Sequence, residues 1–383
     1  MNRAGLSVFL CAVLPLAAFA QRDPGHDRVV VPQTRIDLRD LGYSPLDLIP
    51  DGESGITSLA VAPNGDIYGA TSGVRSHLFV MNPLHGYVFP IGVIPDTTSV
   101  THSLVVSEQG HVFLGTAPGG HLLEYTPDDI DNRNIEIGKA LAVKDRGAPV
   151  PGESIFALAI DRKANRIYGL TSPNAHLFSY SISTHTFQEL GIVAHSAPWA
   201  EKSEHEKTMS RMLAVDGRGN VFATGEDGYF YEVDGKEQTL QKLSIRVPAV
   251  PGREPYTRVD AFLIARSGAI YGGTSDGYLF RLDPETRNIT NLGKPLNQYR
   301  IAGLAWGANG KLYGVGGDDS EMARLFSYDP KDGSYDLLGF IDVNRRPYFT
   351  WAAYVIGDIV SDDRGTVFLG ENERISKLYL FFP

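Results

Sequence analysis

Ile36-Asp37-Leu38-Arg39-Asp40-Leu41-Gly42 is an apolar alternation that closes on Leu-Gly. The same ending, or a near variant, recurs along the chain, as in Phe187-Gln188-Glu189-Leu190-Gly191, Ile289-Thr290-Asn291-Leu292-Gly293 and Tyr335-Asp336-Leu337-Leu338-Gly339. In those places it follows a three-strand module. At 36–42 it stands alone, ahead of the first module. The last module stops without it, at Leu378-Tyr379-Leu380-Phe381-Phe382-Pro383. A strand missing from one end of an array and present at the other is what closure of a ring requires.

The modules align on a tight turn followed by an apolar-aromatic pair. They are Asn64-Gly65-Asp66-Ile67-Tyr68-Gly69, Gln109-Gly110-His111-Val112-Phe113, Asn165-Arg166-Ile167-Tyr168-Gly169, Arg218-Gly219-Asn220-Val221-Phe222, Ser267-Gly268-Ala269-Ile270-Tyr271-Gly272, Asn309-Gly310-Lys311-Leu312-Tyr313-Gly314 and Arg364-Gly365-Thr366-Val367-Phe368. Their spacing, about 42 to 55 residues, is that of propeller blades. A strand precedes each turn and another follows it. A third strand carries pairs such as Leu78-Phe79, Leu177-Phe178, Leu279-Phe280 and Leu325-Phe326, and the fourth ends on Leu-Gly. Short alternating runs bounded by Gly, Pro, Asn and Asp are the hairpin signature. Four antiparallel strands in each of seven copies predict an all-β, seven-bladed β-propeller, with 36–42 as the outer strand of the last blade. Residues 21–383 are expected to form this one domain.

Residues 1–20 read as a secretory signal: Arg3, an apolar run from Leu6 to Phe19, and Ala18-Phe19-Ala20 before Gln21. A secreted or periplasmic protein is expected, without a membrane span. Cys11, the only cysteine, lies inside that signal, so disulfides and thiol chemistry are not expected in the remainder. The formal net charge is -10. An acidic body argues against nucleic acid as a partner but permits a local basic pocket. A monomer is expected.

The long connections at 149–154, 197–210, 248–258 and 344–353 fall on the blade-to-blade face, and irregular loops on a rigid scaffold are where binding residues concentrate. The funnel around the axis on that face is the expected site. Two register positions open onto it. The first, two residues before the core Leu, Phe or Ile of the innermost strand, holds Thr57, His102, Phe156, Arg211, Asp260, Ala302 and Gly357. The second, just before the third-strand Leu, holds His77, His121, His176, Tyr229, Tyr278, Arg324 and Lys377. Arg258 and Arg300 stand where first strands begin, and Tyr348 and Trp351 crowd the last connection. The bland alternative is a set of strand-edge positions that tolerate any long side chain, with arginines bridging blades.

No nucleophile elbow, P-loop, HExxH or complete EF-hand loop occurs, and no cofactor is expected. Asp128-Asp129-Ile130-Asp131 and Asp318-Asp319-Ser320-Glu321 could hold a structural calcium ion, although acidic loops are more often simply solvated.

Over nearly all of residues 21–383 the repeats resemble secreted bacterial propellers. The site resembles that of propeller-type polysaccharide lyases such as the ulvan lyases, which place two histidines of one blade with Tyr and Arg neighbours at the top of the ring. The resemblance implies His102 and His121 as the catalytic pair, with Tyr229 or Tyr278 as the catalytic tyrosine. It implies Arg211 or Arg258 as the carboxylate-neutralising residue. Arg300, His176, Asp260, Tyr348 and Trp351 complete the expected substrate-binding set. The implied reaction is β-elimination on an acidic polysaccharide or oligosaccharide, in which a cation stabilises the enolate-like intermediate and His or Tyr moves the proton. Asp260 is the only acid in the first register, whereas glycoside hydrolysis wants two carboxylates. Two other readings stay open: a non-catalytic propeller that binds a glycan or protein, and a propeller hydrolase or metal-dependent sugar lactonase.

Overall fold

A computed structural model describes residues 35–37, 49–84, 87–127, 139–194, 209–318, 321–345, 349–373 and 375–383; at 35–37, 87 and 342–351 the description is of the backbone. Among these residues there are seven four-stranded antiparallel sheets and one separate hairpin, Asp342–Arg345 with Phe349–Ala352. Six sheets are consecutive in the chain. Blade five, for example, is Val259–Ile264, Ile270–Thr274, Leu279–Asp283 and Asn288–Gly293. The first strand of each blade contacts the first strand of the next, through all seven pairs including the last blade with the first. That closed inner ring makes the architecture a seven-bladed β-propeller.

The seventh sheet has the order predicted from the displaced strand. Ile356–Ser361, Val367–Glu371 and Lys377–Phe381 come from the C-terminal end, and Arg35–Asp37 adds the outer strand. Its register pairs Arg35 with Tyr379, Ile36 with Leu378 and Asp37 with Lys377. The rest of the quoted stretch, 38–42, lies outside the described residues.

The recurring sequence signals have physical causes. The glycine of the aligned turn has φ of +87° at Gly65, +85° at Gly110, +89° at Gly219 and +87° at Gly268; in blade three Asn165 takes the same place at +49°. Asn is the side chain that best tolerates this left-handed region. The Leu-Gly ending marks a bulge on the fourth strand. Leu177 faces Gly191 and Phe178 faces Glu189, so Leu190 is the extra residue; Leu292 and Leu338 repeat the arrangement. The Tyr-Gly and Leu-Phe pairs are two halves of one contact. Gly69, Gly169, Gly272 and Gly314 lie opposite Phe79, Phe178, Phe280 and Phe326, whose rings occupy the space a Cβ would need. These rings are fully buried. Where the second strand has Leu114 instead, its partner shrinks to Leu123, which keeps the packed volume level.

Candidate functional site

The first register position is a β-bulge. In blades one, three, five, six and seven the inner-strand pairing slips by one residue, at Thr57, Phe156, Asp260, Ala302 and Gly357. A bulged residue leaves the pleat and its side chain is re-aimed. In blades two and four the first strands are short, Leu104–Val106 and Ala214–Val215, and His102 and Arg211 lie just ahead of them. Backbone bonds tie this ring together: His102 N–H donates to Thr57 O at 3.0 Å, and Arg211 N–H to Val259 O at 2.9 Å.

Asp260 is fully buried and faces three guanidinium groups. Arg258 Nε lies 2.8 Å from Oδ1, Arg300 Nε 2.9 Å from Oδ2, and Arg211 Nε 3.7 Å from Oδ1. Burial alone would raise the pKa of this carboxyl, but the charges of Arg258, Arg211 and Arg300 outweigh it and hold the value at about 2. The arginines come from three neighbouring blade starts. Arg258 N–H donates to Ser275 Oγ at 3.2 Å, and Arg300 N–H to Ser275 O at 3.1 Å with φ of +64°. The left-handed turn at Arg300 is backbone strain held in place by its neighbours.

These residues line a cleft of about 660 Å³ with Arg253, Tyr256, Tyr299, Val355 and Asn372. Asp260 is the only carboxylate among the described lining residues, against four arginines. Arg253 is neutralised by the buried Asp276, at 3.0 Å. The other three guanidiniums converge on the one carboxylate of Asp260, in a chain that is acidic overall. Tyr256 and Tyr299 stand at the mouth, 54% and 56% exposed. Arginines that grip a carboxylate beside exposed aromatic rings form a site suited to an acidic sugar.

The structure therefore brings together Arg211, Arg258, Asp260 and Arg300 of the expected set. It distributes the others. His102 is buried with φ of +48°, its Nδ1 3.7 Å from Asp358 Oδ1 of blade seven. His121 belongs to the third-strand register, farther out along the blade, and its Nδ1 meets Asp145 Oδ2 of the fourth strand at 2.8 Å. No hydrogen bond or ion pair among the described residues joins the two histidines. His176 bonds Glu189 at 2.7 Å, with Glu153 at 3.6 Å on its other nitrogen. Tyr229 is covered by the guanidinium of Arg246, 4.0 Å from its ring centroid. Tyr278 stands one step behind the cleft: Lys294 Nζ lies 5.6 Å from its ring and 5.5 Å from that of Tyr299. Tyr348 lies outside the described residues. Trp351 is described only as part of the separate hairpin's strand Phe349–Ala352.

A repeated clasp explains part of this distribution. Pro50-Asp51-Gly52-Glu53, Val150-Pro151-Gly152-Glu153 and Val250-Pro251-Gly252-Arg253 each close with the fourth N–H on the first carbonyl, at 3.1, 3.2 and 2.9 Å. The fourth side chain then reaches the loop or strand end between strands two and three of its blade. Glu53 takes Arg75 and His77, and Glu153 takes Thr171 and Asn174. In blade five the charges are reversed, with Arg253 on Asp276. His77 and His176 thus belong to clasps that order the connections.

Tyr256 and Tyr299 were not singled out by sequence, although Tyr299 adjoins Arg300 and Tyr256 lies two residues before Arg258. Asp128 to Asp131 lie outside the described residues, as do Asp319 and Ser320. Among the described residues no group of three or more His, Cys, Asp or Glu is placed to hold a metal ion, and no helix is long and apolar enough to cross a membrane.

Solved structures share this architecture at low identity. A streptogramin B lyase is 12% identical, with a TM-score of 0.64 over 91% of this chain and 97% of its own. A virginiamycin B lyase from Staphylococcus aureus is 11% identical, with a TM-score of 0.63 over 91% and 99%. A chain of a mitotic checkpoint complex is 13% identical, with a TM-score of 0.60 over 100% and 99%. These similarities establish the seven-bladed fold; at such identity function has to be argued from the site. The first neighbours are streptogramin B lyase-like propellers rather than the ulvan lyases that the sequence resemblance suggested. No family model and no curated protein matches the chain.

Proposed function

We propose that the axial cleft binds the carboxylate of an acidic oligosaccharide or polysaccharide, and that the protein cleaves this glycan by β-elimination. The observation that carries the reading is the sharing of Asp260 among Arg211, Arg258 and Arg300. Asp260 fixes the guanidiniums in advance, in a geometry that can receive the carboxylate of a ligand. Preorganised cations of this kind act on charge that develops in the transition state.

In the reaction the bond from C5 of a uronate to its hydrogen breaks and its electron pair forms the C4–C5 double bond. The C4–O bond breaks, and the glycosidic oxygen leaves with a proton. The arginines hold the carboxylate into which charge spreads. Tyr256 and Tyr299 are the phenols lining the cleft, and they take the proton-transfer roles. This moves the catalytic roles from His102, His121, Tyr229 and Tyr278 to the tyrosines beside the arginines. Lyase names among the neighbours concern those proteins and add only that this architecture accommodates elimination chemistry. A secreted or periplasmic location would place the enzyme beside such polymers.

A panel of uronate-containing polysaccharides, followed by the ultraviolet absorbance of the unsaturated product, tests the proposal. A rise in absorbance that is lost in Arg258→Ala and Arg300→Ala supports it. Tight binding with no product on any polymer overturns the elimination step. It would favour a non-catalytic glycan binder, which the engagement of His102 and His121 with Asp358 and Asp145 also fits.

A further inference from the structure

A second cleft, of about 440 Å³, adjoins the first on the same face. The connection between blades five and six is the wall between them. Asn297 and Gln298 line the second cleft, and the next two residues, Tyr299 and Arg300, line the first. Tyr354, 45% exposed, stands at its edge.

Its cationic member is Arg324, on the third strand of blade six, Glu321–Tyr328. The guanidinium carbon lies over the Phe340 ring, 4.4 Å from its centroid. No carboxylate bridges Arg324 among the described residues, and its buried Nε has no hydrogen-bond partner there. Glu321 lines the same cleft but is exposed and makes no ion pair with it. Gln298 is 6% exposed. Its Nε2 donates to Met322 O at 3.0 Å, while its buried Oε1 has no donor among the described residues. A guanidinium with no ion pair among the described residues, beside an amide acceptor unmet there, suits a ligand that brings negative charge and an O–H group.

We infer that this cleft is a second anion subsite, and that the ligand is an oligomer bearing acidic groups on more than one unit. One carboxylate sits at Arg258 and Arg300, and another at Arg324. This inference rests on the proposed reading of the axial cleft. Two tethered anions gain affinity over one because the second binds at high effective concentration.

The test is calorimetric titration of glucuronate and galacturonate and their oligomers, from monomer to tetramer. Wild-type affinity rises about tenfold or more with length. Arg324→Ala, and Arg324→Met to keep the stem packed on Phe340, abolish that rise and leave monomer affinity within about twofold. Arg300→Ala weakens every length. A length gain that survives both Arg324 variants, or its absence from the wild type, overturns the second subsite and leaves the first cleft standing. Failure of any uronate to bind overturns both.

Discussion

Arg300 donates from Nε to Oδ2 of Asp260 at 2.9 Å across the boundary between blades five and six. The bond joins a residue in left-handed backbone to a bulged residue with no exposure. Neither position is needed by an ordinary strand pairing. Together they hold two of the three guanidiniums over one carboxylate, Arg258 being the other.

Acid should weaken this arrangement in a defined window. The pKa of Asp260 is lowered from 3.8 to about 2 in the folded protein. A depressed carboxylate stabilises the fold above its unfolded pKa and loses that contribution as pH falls through its folded pKa. The loss therefore runs from about pH 4 to about pH 2 and amounts to about 2 kcal/mol. Asp260→Asn is expected to be less stable than wild type by about this much at pH 7, with the difference narrowing in that window. Urea unfolding across pH measures it.

The clasp of blade one predicts a second pH effect. Burial pushes the His77 imidazole below its ordinary value, against the pull of Glu53. The unfolded chain then takes up the proton first, so stability declines as pH falls through about 6.5 toward the folded value. His77→Gln should flatten that decline while leaving carboxylate binding intact. A variant that loses binding instead would place His77 in the site.

Core packing at the Gly–Phe pairs is tested by Gly272→Ala. The added methyl meets the Phe280 ring, so a loss of about 1–3 kcal/mol is expected. Adding Phe280→Leu should recover part of it, giving a coupling energy in a double-mutant cycle. Additive losses would contradict the paired-volume reading.

Removal of residues 29–45 takes away Arg35–Asp37 and leaves the edge of Lys377–Phe381 unpaired. A fall of roughly 5 °C or more in Tm is expected, with activity lost as a consequence. A deletion variant that melts like the intact chain would contradict ring closure by this strand.

The ring was legible because its signals are local and periodic: the turn at Gly65 and Gly268, the bulge at Leu190-Gly191, and a strand present before the first module instead of after the last. The inner register was legible for the same reason, since Asp260 and Arg211 each lie a fixed two residues before an aligned core position. Radial distance was not. His102 and His121 share a blade and a face in sequence terms, yet one lies at the inner ring against Asp358 and the other on the third strand against Asp145. Sequence spacing along a blade does not record how far each strand sits from the axis. Nor does it announce that the starts of blades four, five and six converge, which is what gathers Arg211, Arg258 and Arg300.

The most direct measurement is titration of a uronate oligomer that binds the wild type into Arg258→Ala and Arg300→Ala, at low and high salt, with thermal unfolding to confirm that each variant is folded. The account predicts that each substitution weakens binding by roughly thirtyfold, about 2 kcal/mol, and reduces its salt dependence. Unchanged affinity in both folded variants would contradict the assignment of the Asp260 cleft as the carboxylate site.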